Sequence, residues 1–205
     1  TYYYLKKIGY NPIFLNYVSV KTENSLEESY KKSVQTKAHI DFVNSYIENQ
    51  TENLYNSDDV IAAIDKYHID AIIIGSDAVV QHHPLLSRIH RGRRKPFYIS
   101  HPAPERMFPN PFWGCGFDDK IPTVMMSVSS QNSKYSQFSK SLKSRMFKTL
   151  NNMKYISVRD TWTLNMMKAI GVNHDVKVTP DPVFAFNYNA GHLVPSEDDI
   201  RKRFS

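Results

Sequence analysis

An apolar stretch in the first half of the chain predicts a buried β-strand. Residues 69–74 read Ile-Asp-Ala-Ile-Ile-Ile, with five apolar residues and no alternation of polar and apolar positions. Such a stretch is typical of a central parallel strand that helices cover on both faces. Gly75, Ser76 and Asp77 follow where the strand would leave the sheet. Because ligands of open α/β sheets collect at the carboxyl ends of strands, this turn is a candidate site; the alternative is a tight turn with a helix cap.

The rest of the pattern predicts strands and helices in alternation. In chain order, the predicted elements are a helix tail ended by Gly9, a strand over 11–18, two helices within 21–56, a helix from Ser57, the 69–74 strand, a strand over 121–128, a long helix with apolar positions from Phe138 to Leu150, a strand at 155–158, a helix over 161–170 ended by Gly171, and a strand from Val176. This order predicts an α/β fold with a right-handed, doubly wound, Rossmann-like parallel sheet over residues 1–186. Residues 187–195 resemble a linker, and a further helix is expected to start at Pro195. Since a helix tail comes first, we expect an earlier strand of this domain to lie outside the chain.

Small polar residues mark the expected helix starts. Ser57 is a candidate cap for the helix that precedes the 69–74 strand, and Asp160 for the helix that Gly171 ends. Ser129, Ser130 and Asn132 are candidates for the long helix in between. Each of these side chains accepts a hydrogen bond from a helix amino terminus when it caps one.

Composition narrows the class of protein. The mean hydropathy of −0.48 and the short apolar runs indicate a globular chain without a bilayer span, and residues 1–7 lack a signal-peptide core. Cys115 is the only cysteine, which excludes an intrachain disulfide and a multi-cysteine zinc site; we expect no metal. These features favour a cytoplasmic location. The net charge of +6 favours anionic partners without choosing among them.

A proline-rich region over residues 78–120 has no sustained period. It contains His82, His83 and the basic run from Arg88 to Lys95, with aromatic residues among them. Long connections of this kind in compact domains are often functional. The basic run is either a solvated loop or an electropositive rim for a phosphate or a lipid-linked anionic acceptor.

Three segments resemble the polysaccharide pyruvyl transferase family. They are Ile72-Ile-Ile-Gly-Ser-Asp77, Tyr155-Ile-Ser-Val-Arg-Asp160 with its helix to Gly171, and Pro180-Asp-Pro-Val183. One departure is the run from Ala78 to Val80, where the family often continues with Gln, Val and Trp. The resemblance implies one half of a two-domain, glycosyltransferase B-type fold. It also implies transfer of a pyruvyl group from phosphoenolpyruvate to a sugar hydroxyl, with no further cofactor.

The resemblance also implies which parts of the reaction this chain supplies. The family's phosphoenolpyruvate-contacting Arg and His lie mainly in a carboxyl-terminal domain, which we expect to lie outside the chain. Within it, Asp77 is the candidate for orienting or deprotonating a sugar hydroxyl, and Gly75 and Ser76 are candidates for substrate contacts. His82 and His83 are further candidates, against the alternative of bystander loop histidines.

Two acidic residues compete for Arg159. This arginine is a candidate for binding an anion, or it pairs with Asp160 or Asp181 inside the fold. Asp181 between two prolines is better explained by a fixed turn than by catalysis.

Two other functions are open at this point. One is a glycosyltransferase that uses a nucleotide sugar, and the other is a non-catalytic anion-binding domain that uses the basic run. The expected partners are an anionic small-molecule donor and a saccharide or lipid-linked saccharide acceptor. The basic run leaves association with a membrane surface open, and the lack of aromatic readout motifs argues against nucleic acid.

Overall fold

A parallel four-stranded sheet organises the structure. The computed structural model describes residues 1–93 and 96–204. The α-helices in this part of the chain are α1 (Tyr2–Lys7), α2 (Val20–Lys32), α3 (Val34–Tyr46), α4 (Ser57–Lys66), α5 (Lys140–Asn151), α6 (Thr161–Ile170), α7 (Phe186–Ala190) and α8 (Glu197–Phe204). The strands are β1 (Ile72–Ile74), β2 (Ile89–His90), β3 (Tyr98–Ile99), β4 (Thr123–Val128), β5 (Tyr155–Val158) and β6 (Lys177–Val178). The main sheet has the order β1-β4-β5-β6, and all its pairings are parallel.

Helices make two of the three connections in this sheet, and the described residues of the 78–120 region join β1 to β4 without an α-helix. Helix α4 leads into β1, α5 joins β4 to β5, and α6 joins β5 to β6. Parallel neighbours require such crossovers. The α/β class and the parallel sheet are therefore confirmed, and the arrangement is compatible with a Rossmann-like fold.

The predicted central position of the 69–74 strand is wrong. Among the described residues β1 lies at the edge of the sheet and pairs with β4 alone. Its two buried residues flank Ile73, whose side chain is 39% exposed. Ile73 pairs with Val124 on β4, and Val124 pairs with Tyr155 on β5, so the three side chains lie on one face of the sheet. Tyr155 is 43% exposed. The described helices therefore do not cover this face there, as they would in a doubly wound sheet. A continuous β-branched run favours a strand whether or not its second face is buried.

The predicted strand over 11–18 is also largely wrong. The structure has two isolated parallel bridges, Phe14 to Gln50 and Tyr17 to Leu54. Between them, the amide of Asn16 donates to the Thr51 hydroxyl at 3.1 Å. A side chain thus takes one donor of the ladder. The register also changes by one residue between the two bridges, so the pairing is not continuous. The two predicted helices that follow are confirmed as α2 and α3.

Helix caps show which local expectations hold. Asp160 caps α6, and Gly171 ends it in the left-handed conformation with φ +95°, as predicted. Helix α4, however, is capped by Asn56, and Ser57 instead donates to the Cys115 carbonyl at 2.6 Å. Helix α5 begins after Ser139. A 3-10 turn at 135–137 separates α5 from the predicted caps Ser129, Ser130 and Asn132, so none of them caps this helix.

The long 78–120 region and the 187–195 segment both contain structure. The first contains the β2–β3 hairpin and buried aromatic residues such as Trp113 and Phe117. The second overlaps α7 and a 3-10 turn, and the further helix near Pro195 is α8. The division of the chain at residue 186 stays a prediction.

One hydrophobic core supports the sheet. Met125, Ile156 and Val158 are buried in it against side chains of α5 and α6 and the aromatic residues of the 78–120 region. Each such side chain, fully buried, stabilises the fold by about 2 kcal/mol. This packing fixes the strand ends that carry the candidate site.

Candidate functional site

Charged residues from three parts of the chain meet at the carboxyl edge of the sheet. Asp77 follows β1, Arg159 follows β5, and Asp181 follows β6. Arg159 Nη1 donates to Asp181 Oδ2 at 2.6 Å, and Nη2 lies 3.8 Å from Asp77 Oδ1. Arg159 and Asp181 are half-buried, whereas the Asp77 side chain is 80% exposed. The structure thus brings the predicted Asp77 and Arg159 together, and of the two partners expected for Arg159 it selects Asp181.

The Asp181 carboxylate is fixed by its own turn. It caps the 3-10 helix Pro182–Ala185, where Oδ1 accepts the Val183 amide at 3.1 Å. This hydrogen bond, followed by the hydrogen bond and the charge of Arg159, lowers the pKa of Asp181 below its usual value. Asp181 is therefore an ionised anchor for Arg159 and also the turn residue that the sequence predicts.

Ser127 holds the Asp181 turn against β4. Its hydroxyl lies 2.9 Å from that of Thr179 and donates to the Pro180 carbonyl at 3.0 Å. Ser127 has φ +51°, and the register between β4 and β5 shifts by one residue between Met125 and Val128. A bulge of this kind redirects side chains at the end of a strand. Here it lets a buried hydroxyl reach across to the β6 turn.

Ser129 connects the Asp77 turn with α6. Its amide donates to the Asp77 carbonyl at 2.9 Å, and its hydroxyl donates to Asp160 Oδ2 at 2.7 Å. Asp160 in turn accepts the Thr163 amide at 2.7 Å. Burial raises the pKa of Asp160, but the hydrogen bonds from Ser129 and Thr163 outweigh it, so the pKa is lowered. Asp160 is a structural carboxylate here, and Ser129 fixes the backbone that carries Asp77.

Gly75 is required by close packing. A Cβ atom built there would lie 2.1 Å from the Met126 carbonyl oxygen, and the residue has φ +135°. Only glycine fits both conditions. Ser76 is half-buried beside it. Their predicted contacts with substrate stay predictions.

The two candidate histidines differ from Asp77 in environment. His82 is buried; its Nδ1 accepts the Phe108 amide at 3.1 Å, and its ring packs edge-on against Phe138. Burial, followed by the charges of His83 and nearby arginines, lowers the pKa of His82 to about 4. His83 Nε2 lies 3.2 Å from Gln81 Oε1, and burial lowers its pKa too.

The proposed role of the histidines in substrate binding stays a prediction. Both are neutral near neutral pH, and the structure places the His82 ring within the core. An imidazole in that state has no positive charge to offer an anionic donor.

Sequence reasoning missed Ser127 and Thr179 and assigned Ser129 to a different contact. Serines at every second position near the end of a buried strand are a weak signal of such a network. The pattern of apolar and polar residues does not predict the bulge that brings Ser127 into contact with the β6 turn. Within the described residues, no group of three or more His, Cys, Asp or Glu is arranged to hold a metal ion.

Comparison with known proteins finds one family. A family model described as polysaccharide pyruvyl transferase matches residues 1–203. No curated protein and no solved structure matches the chain. Among the helices that the structure describes, none is both long and apolar enough to cross a bilayer.

Proposed function

We propose that this chain, which belongs to the polysaccharide pyruvyl transferase family, takes part in moving the pyruvyl group of phosphoenolpyruvate onto a sugar. In this proposal, Asp77 is the group that acts on the sugar hydroxyl. The observation that supports this proposal is the exposed Asp77 carboxylate at the sheet edge, 3.8 Å from an arginine that Asp181 holds in place. The family match supports the reaction class, and the geometry supports the choice of residue.

The chemistry requires a proton acceptor. In forming a cyclic ketal, two sugar hydroxyls add to the central carbon of the donor, the methylene carbon gains one proton, and phosphate leaves with the other. A carboxylate that removes or orients the proton of an attacking hydroxyl increases the nucleophilicity of that oxygen. Asp77 is suited to this role because its oxygens are open to solvent at the edge where α/β sheets bind ligands.

Arg159 supplies fixed positive charge beside that carboxylate. Its guanidinium is already oriented by Asp181, so no reorganisation is needed when an anionic or oxygen-rich substrate arrives. The glycosyltransferase B-type arrangement belongs to the same proposal and comes from the family resemblance. A lipid-linked acceptor belongs to it too, and the reason for it is the basic run from Arg88 to Lys95.

The test is turnover of the full-length protein with phosphoenolpyruvate and a saccharide acceptor. Asp77→Asn keeps the shape of the side chain and removes its basicity, and we expect turnover to fall by about 10²-fold or more. Asp70→Asn is the matched control, since Asp70 is also exposed but precedes β1 at the opposite end of the strand. Unchanged turnover in Asp77→Asn would contradict the assignment.

A ligand screen separates this function from transfer of a nucleotide sugar. Phosphoenolpyruvate should raise the melting temperature, because a ligand that binds only the folded state stabilises it. A uridine or guanosine diphosphate sugar that does so, where phosphoenolpyruvate does not, would favour the other reaction.

A further inference from the structure

The positive charge of the chain is concentrated in one segment. Between residues 78 and 104 there is no Asp or Glu, and Arg88, Arg91, Arg93, Arg94 and Lys95 contribute five positive charges, against a net charge of +6 for the whole chain. Arg94 and Lys95 lie outside the described residues and enter here as sequence charges only. Arg91 and Arg93 are both exposed. A surface of this kind attracts polyanions.

The same segment exposes large apolar side chains. Leu86 is 70% exposed and Phe97 is 68% exposed. Leu85, Ile89, Tyr98 and Ile99 are exposed as well. Single exposed apolar residues are ordinary, but a cluster within one short segment marks a surface that binds something.

The described residues of this segment form a β-ribbon. Strands β2 and β3 form a two-stranded antiparallel sheet of their own, in which Ile89 lies opposite Ile99. The Ser100 amide donates to the Arg88 carbonyl at 2.8 Å, and Lys21 Nζ donates to the His101 carbonyl at 3.2 Å. The ribbon is thus tied to α2, while both of its strands stay exposed. We call residues 85–93 and 96–101 the basic hairpin.

We propose that the basic hairpin binds the surface of an anionic phospholipid bilayer. Arg91 and Arg93 contact lipid phosphates, and Leu86 and Phe97 enter the boundary between headgroups and acyl chains. A segment that carries basic side chains between groups of Leu, Ile, Phe and Tyr has this chemistry, since neither charge nor apolar area alone gives stable binding. Aromatic rings in particular favour the headgroup level of a bilayer.

The choice of a bilayer follows from the combination of features. A nucleic acid would use the charge and leave the aliphatic Leu86, Ile89 and Ile99 side chains in water. A folded protein partner would need complementary acidic residues as well as an apolar groove. This inference concerns where the protein is located, and it holds whether or not Asp77 acts on a sugar hydroxyl.

Flotation with lipid vesicles tests the proposal. We expect the full-length protein to float with vesicles of equal parts phosphatidylcholine and phosphatidylglycerol and to stay behind with phosphatidylcholine alone. Each basic side chain near an anionic bilayer changes partitioning about fivefold, so Arg91→Glu with Arg93→Glu should lower it by about 25-fold or more. Leu86→Ser with Phe97→Ser should lower it by about tenfold.

Matched variants separate this site from general effects. Lys31→Glu with Lys32→Glu makes the same change of charge at exposed positions of α2, and Phe184→Ser removes an exposed phenyl ring elsewhere. Both controls should float like the wild type. Because every substituted side chain is exposed, melting temperatures should stay close to the wild-type value.

Three results would overturn the proposal. The first is equal binding to neutral and anionic vesicles, and the second is no binding to anionic vesicles. The third is a combination: duplex DNA releases the protein from vesicles, and the double variant Leu86→Ser, Phe97→Ser floats like the wild type. The last result would identify a general polyanion site. None of them bears on turnover by Asp77 variants in solution, so the two proposals fail separately.

Discussion

Arg159 and Asp181, 22 residues apart in sequence, form an ion pair in which Nη1 lies 2.6 Å from Oδ2. The pair joins the end of β5 to the turn after β6 and leaves the other guanidinium nitrogen directed at Asp77. One arginine thus serves two carboxylates, one that positions it and one that faces solvent.

This pair should make stability depend on pH. Asp181→Asn is expected to lower the free energy of unfolding by about 1 to 2 kcal/mol near neutral pH, as for a charged hydrogen bond at a partly exposed site. Folding lowers the pKa of Asp181, so its contribution to the free energy of unfolding is complete above the pKa of the unfolded chain, about 4. That contribution is lost as the pH falls through the lower pKa of the folded protein. Urea unfolding of both proteins across this pH range should show the difference shrinking with acidity.

Asp175→Asn is the matched control for that measurement. Asp175 pairs with Lys177, and both side chains are exposed, so the change should be close to zero. A difference between Asp181→Asn and the wild type that persists unchanged in acid would show that the effect comes from shape and not from charge.

Gly75 should tolerate no side chain. Gly75→Ala places a methyl group against the Met126 carbonyl at a φ that L residues rarely adopt, so we expect a loss of about 3 kcal/mol in unfolding free energy. Gly191→Ala is the control, because its added Cβ meets nothing within 4 Å. Chemical denaturation of the two variants should give a large loss for the first and little change for the second.

Asp160 should matter for folding through its cap. Asp160→Ala removes the acceptor for the Thr163 amide and for the Ser129 hydroxyl, and the expected cost is about 2 kcal/mol. Asp160→Asn keeps an acceptor at the cap and should cost about half as much. Equal losses in denaturant titrations would show that the charge, and not the cap, is what matters.

His82 should weaken the fold in mild acid. Burial keeps its imidazole neutral, with a pKa of about 4 against 6.5 in the unfolded chain. The stability from this residue is complete above pH 6.5 and falls by about 1.4 kcal/mol per pH unit below it, to a total of roughly 3 kcal/mol. Asparagine in His82→Asn retains an acceptor for the Phe108 amide but does not titrate. The unfolding free energy of this variant, measured with urea, should therefore vary less with pH below 6.5 than that of the wild type.

His39→Asn controls for histidine content in that comparison. His39 is exposed on α3, so His39→Asn makes the same change of side chain outside the core and is the reference variant. The His82 prediction is contradicted if the unfolding free energies of His82→Asn and of the wild type change in the same way with pH.

Local chemistry made part of the fold predictable. The α5–β5–α6–β6 order and the Asp160 and Gly171 ends of α6 depend on residues close in sequence, and the structure confirms them. The meeting of Asp77 with Arg159 was predictable too, because parallel strands end at one edge.

What escaped prediction depends on contacts between distant residues. The edge position of β1 and the exposure of Ile73 follow from which strands pair, and an apolar run does not encode its neighbours. The bridges at Phe14 and Tyr17 are one residue out of register with each other, and the Asn16 amide between them donates to a distant Thr51 hydroxyl. The role of Ser127 depends on a bulge that shifts register against β5, and periodicity carries no sign of it.

Cys115 has a practical consequence for measuring motion. As the only thiol in the chain it is partly buried against the core, and burial raises its pKa to about 11, so almost none of it is the reactive thiolate near neutral pH. Alkylation becomes fast only when the packing of the thiol against Thr149 of α5 loosens. The rate of alkylation therefore reports how often this region opens, and no cysteine has to be introduced for the measurement.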